Sequence, residues 1–81
     1  MRSSLVFTAH AQTMMQERGI REDWVKSTVL EPDTTEQREE DEVHYLKRIP
    51  QKRGKILRVI VNPSVSPKRV ITVFFDRRVQ L

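Results

Sequence analysis

Apolar side chains recur three to four residues apart as far as Leu30, and two apart from Val43 onward, so the chain changes from a helical period to a strand period. Thr8 is a suitable N-cap and Gly19 sits where a left-handed C-cap belongs, which predicts a helix over 9–18. At about 100° per residue, Ala11, Met14 and Met15 share one face of that helix. Arg18 falls in the middle of this face and His10 on its flank, about 80° from Arg18. A cation placed there must find a carboxylate, a carbonyl or a phosphate. Glu22 and Asp23 suit the start of a second helix over 22–30, whose buried stripe is Trp24, Val25, Thr28 and Val29. Ile20 and Val25 could staple its start, and Pro32 ends it.

β-Branched or aromatic runs at 43–49, 56–62 and 70–75 read as strands, separated first by Pro50 and Gly54 and then by Pro63, Ser64, Ser66 and Pro67. Thr34 to Arg38 forms a weaker edge strand that turns through Glu39, Glu40 and Asp41, and Leu5 to Phe7 is a short extended lead-in. The gaps are too short for helical crossovers. The expected fold is therefore α+β, a single domain over 1–81 with an N-terminal helical hairpin packed on a three- to four-stranded antiparallel sheet.

Alternation places Val43, Tyr45, Ile49, Leu57, Val59, Val61, Ile71, Val73 and Phe75 on one sheet face. The other carries His44, Leu46, Arg48, Ile56, Arg58, Ile60, Val70, Thr72 and Phe74. A sheet covered by helices on one side should be polar on the other, and this second face is too apolar for open water. Leu46, Ile56, Ile60, Val70 and Phe74 are accordingly expected to be covered by a second chain, a copy of the protein or a partner. A one-residue slip in register would exchange the faces.

The net charge of +4 conceals a division. From Lys47 onward there are ten Lys and Arg against one acid, Asp76; before it there are five against ten. Such asymmetry points to a basic surface for an anionic partner, nucleic acid above all, with solvated lysines and arginines as the alternative. The acidic run Glu36 to Glu42 reads as a solvated edge or turn, or else as a segment that folds back on the basic half. No cysteine is present, and two histidines distant in sequence make a poor metal site, so neither cofactor nor metal is expected. The apolar run Leu5–Phe7 is too short for a signal-peptide core and nothing approaches a membrane span, so a soluble, cytoplasmic protein is the default expectation.

Phe7-Thr8-x-His10, then Ala11, Met15 and Arg18-Gly19-Ile20, then Pro32-Asp33 and the late run Val70 to Phe74, together resemble a family of small, mostly bacterial proteins of unknown function. Its first helix carries the pattern H-A-x-x-R-M-x-x-R-G-I, and its members look like the RelE-type ribonuclease toxins of toxin–antitoxin pairs. Met14 stands where the family pattern often has arginine. The resemblance implies a RelE-like fold, a metal-independent endoribonuclease, an RNA substrate and an antitoxin partner.

Metal-free RNA cleavage by the 2′-hydroxyl needs a base, an acid, and cations on the phosphorane, roles suited to histidine and arginine. The candidate catalytic residues are His10, Arg18, His44 and Arg58, and the candidate nucleic-acid contacts are Lys47, Arg48, Lys52, Arg53, Lys55, Arg77 and Arg78. Each has a plainer alternative. His10 could be a packed histidine bonded to a carbonyl, and Arg18 could pair with Asp76 or a C-terminal carbonyl. His44 and Tyr45 stand on opposite faces of one strand, so a given site receives at most one of them. Two functions remain: a RelE-like toxin ribonuclease, or a non-catalytic protein- or nucleic-acid-binding module.

Overall fold

A computed structural model describes residues 5–81. The element order is β1 (Leu5–Phe7), α1 (Ala9–Arg18), α2 (Glu22–Leu30), β2 (Thr34–Glu39), β3 (Glu42–Ile49), a single 3₁₀ turn at Pro50–Lys52, β4 (Lys55–Asn62) and β5 (Lys68–Phe75). The fold is α+β, with two helices on a five-stranded sheet of order β1-β5-β4-β3-β2. The expected three or four antiparallel strands are corrected on both counts. Leu5–Phe7 is a strand that pairs with β5, and it does so in parallel, making the sheet mixed.

Local chemistry places the helices. The Thr8 hydroxyl accepts from the Ala11 amide at 3.0 Å and donates to the Ile71 carbonyl at 2.9 Å, so one side chain both caps α1 and ties it to β5. Gly19 adopts φ +63° and its amide donates to the Met15 carbonyl, which closes α1 in the left-handed conformation that glycine tolerates best. α1 packs on β5 and β1, and α2 on β3 and β4. Between the layers lie Ala11, Ile20, Val25, Ile49, Leu57, Val59, Val61, Val70 and Val73, with Phe7, Met14, Met15, Trp24, Tyr45 and Phe75 around them.

Val70 is on the side opposite to that expected. The register jumps between Ile60 and Val61: Ile60 faces Thr72 while Val61 faces Val70, leaving Ile71 as the extra residue of a bulge. Simple alternation carried through that bulge exchanges Val70 and Ile71. The second face is also less open than its composition suggests. Leu46 and Ile56 are 0% and 6% exposed within the single chain. The segment after β5 returns along this end of the sheet, with the Asp76 amide on the Ile56 carbonyl at 2.8 Å and the Leu81 carbonyl on Arg48 at 3.1 Å. Of the five residues expected to need a second chain, only Ile60 and Phe74 remain half-buried.

Candidate functional site

Two groups of charged side chains emerge from this framework. The first lies on the second sheet face. Arg58, opposite Leu46 and Phe74, is buried, and its guanidinium reaches in three directions. Nε donates to Asp76 Oδ2 at 2.9 Å, and Nη1 donates to Glu36 Oε1 at 3.1 Å and to His44 Nδ1 at 2.8 Å. A guanidinium has no acceptor, so His44 Nδ1 must be the lone-pair side of the ring. Nε2 then carries the hydrogen and donates to Glu42 Oε2 at 2.7 Å. Both ring nitrogens are thus engaged.

Charge complementarity sets the state of the acids. The Arg78 amide and the Arg58 guanidinium hold the Asp76 carboxyl below the usual carboxylate range, against the opposing effect of its burial. Arg38 and Arg58 do the same for Glu36. Arg38 binds Glu36 Oε1 at 2.6 Å. The acidic run is therefore divided, Glu36 and Glu42 turning inward to the network while Glu39, Glu40 and Asp41 are exposed.

The second group lies where α1 ends, β4 begins and β5 ends. Arg18, Lys52, Lys55 and Arg77 line a shallow hollow against Phe75, with Glu17 the one acid among them. The expectation that Arg18 would be paired on the apolar face is overturned: Arg18 is exposed and has no hydrogen-bond or ion-pair partner among the described residues. Its position in the last turn explains this. Arg18 is the last residue of α1, and it lines the open hollow together with Phe75. The two partners expected for it belong to other arginines, Asp76 to Arg58 and the Leu81 carbonyl to Arg48.

The sequence-derived residues therefore separate. His44 and Arg58 meet, whereas Arg18 joins Lys52, Lys55 and Arg77 elsewhere. His10, the second residue of α1, is exposed and bonded to neither group. Lys47 donates to the Glu31 carbonyl at 2.8 Å, satisfying the C-terminus of α2, and Arg48 holds the carbonyls of Gly54 and Leu81. Arg78 is exposed, with Nε 3.8 Å from Asp76. Lys55 Nζ stands 5.8 Å from the centre of the Phe75 ring. Phe75 was assigned to the core by alternation alone, and its membership in a basic hollow had no sequence signal. Asp76 had one, as the only acid after Lys47.

Among the described residues there is no group of three or more His, Cys, Asp and Glu side chains able to hold a metal, and no helix long and apolar enough to cross a membrane. No curated protein and no solved structure matches the chain. The family described as domain of unknown function DUF4258 matches residues 7–75, from the end of β1 to the end of β5, and the chain belongs to that family.

Proposed function

We propose that the protein binds single-stranded RNA through the hollow formed by Arg18, Lys52, Lys55 and Arg77. The observation that carries this is the convergence of four cations, from α1, the 3₁₀ turn, β4 and the segment after β5, on one partly exposed aromatic ring, Phe75. Cations track a phosphate backbone without regard to sequence, and an aromatic face stacks any unpaired base. A duplex offers no free base face, so the ring favours a single strand. Arg18 gives the hollow a charge that has no partner among the described residues, unlike Lys47 and Arg48, whose donors serve backbone carbonyls. The test is fluorescence anisotropy with a labelled hexa-uridylate at low salt. Arg18→Glu with Lys52→Glu should weaken binding at least tenfold while leaving the unfolding midpoint unchanged. Unaltered affinity would remove the hollow from consideration.

One observation favours a second reading, a RelE-like toxin that cleaves RNA without metal: His44 lies against Arg58, two of the residues named for that chemistry. To act as a base, His44 would have to give up the Arg58 donor at Nδ1, the lone-pair side of its ring, while Glu42 keeps the hydrogen on Nε2 and orients the imidazole. Purified protein incubated with RNA and a chelator should then produce 2′,3′-cyclic phosphate ends, and induced expression should arrest growth. Intact RNA and normal growth would leave only the binding function. An antitoxin or a second copy on the second sheet face would meet Ile60, Thr72 and Phe74 rather than the larger patch first expected.

A further inference from the structure

A second cavity of about 490 Å3 adjoins the basic hollow and shares Lys55, Phe75 and Arg77 with it. Ile56, Phe75, Val79 and Leu81 supply its apolar surface, and Arg48, Arg53, Asp76 and Gln80 join Lys55 and Arg77 as its polar lining. The wall contributed by the segment after β5 is tied at both ends. Asp76 is fixed by its amide on Ile56 and its carboxylate on Arg58, and Leu81 by its carbonyl on Arg48. The volume is within the range of small-ligand pockets, and apolar surface set beside charged and polar groups suits a ligand with an uncharged ring and flanking anions. The neighbouring hollow, by contrast, has Phe75 as its one apolar residue.

We propose that this cavity is a nucleoside subsite. It receives one base of the strand between Phe75, Ile56 and Val79, while the flanking phosphates lie on Arg53, Lys55 and Arg77. The inference rests on the RNA-binding reading and goes beyond it, since it requires the strand to turn around the end of the sheet and insert one base. A purely electrostatic surface would hold phosphates only, and its affinity would depend on charge alone. A base subsite adds a contribution independent of salt, because no counterion is released when an uncharged ring is buried.

The test separates the two. Val79→Trp fills the cavity without altering any charge. It should weaken hexa-uridylate binding at least about fivefold with an unchanged salt slope, the loss expected for one stacked base. Wild-type affinity in a folded Val79→Trp protein would overturn the subsite while leaving the RNA reading intact. Absence of binding by the wild type at low salt would overturn the RNA reading itself. A second measurement needs no variant: uridine monophosphate added to the wild type should shift the amide resonances of Gly54, Phe75 and Val79. Shifts confined to Arg18 and Lys52 would overturn the subsite.

Discussion

Arg58 shows what a buried cation requires. Its side chain is 7% exposed and that of Asp76 is 4% exposed, so neither charge is stable there without the other. Arg58→Ala would leave the Asp76 carboxylate buried and short of its guanidinium partner. The expected loss is about 3–5 kcal/mol by urea unfolding, enough to unfold much of a small domain. Arg58→Lys should recover little, because one ammonium cannot reproduce a planar fork directed at Asp76, Glu36 and His44 together. Full recovery by lysine would show that charge alone suffices. The same network fixes the sign of the pH dependence. The folded-state pKa values of Asp76 and Glu36 are lowered, so their contribution is present above the unfolded carboxylate values of about 4 and is lost as pH falls through the folded ones. The contribution of these two carboxylates should therefore be constant between neutral pH and about 5 and decline below about 4. A protein equally stable at acid pH would contradict the arrangement.

The ends of α1 were legible because capping is local chemistry. Thr8 and Gly19 announce the helix by residue type, and the structure gives each its bond. Gly19→Ala tests the backbone rather than packing, since a Cβ there would stand an ordinary 3.8 Å from Lys52 Nζ. The expected cost is about 1–2 kcal/mol from the left-handed conformation alone, with Gly19→Asn less damaging. Equal thermal midpoints for Gly19→Ala and the wild type would mean that the α1 terminus relaxes. What was not legible is non-local. A three-residue strand such as Leu5–Phe7 has no pattern of its own and is defined only by its parallel partner 63 residues later. The bulge at Ile71 likewise arises from pairing with β4, and no property of Val70-Ile71-Thr72 by itself distinguishes a bulge from regular alternation. Arg18 was misplaced for a related reason: a helical wheel shows the face of a residue but not how far the underlying sheet extends.

The charge division read from the sequence becomes a spatial arrangement only through strand direction. Pairing of Ile49 with Lys55 and of Leu57 with Phe75 brings the basic start of β4, the end of β5 and the 3₁₀ turn to one end of the sheet. Arg18 arrives there because α1 runs towards the same end. Lys68 and Arg69 are equally basic in the sequence, yet they begin β5, seven and six residues from Phe75, about 20 Å away along an extended strand. That distance exceeds the Debye length of about 8–10 Å at moderate salt, so the two ends act as separate electrostatic surfaces. The composition alone predicts that any three of these cations contribute alike, whereas the fold predicts that position decides. Replacing Lys52, Arg53 and Lys55 by alanine should flatten the dependence of log K on log salt by about 0.7 for each lost phosphate contact. Replacing Lys68 and Arg69 should leave that slope within error of the wild type. Equal flattening by both sets would show that the basic half attracts RNA diffusely, and that the hollow around Phe75 has no special part in it.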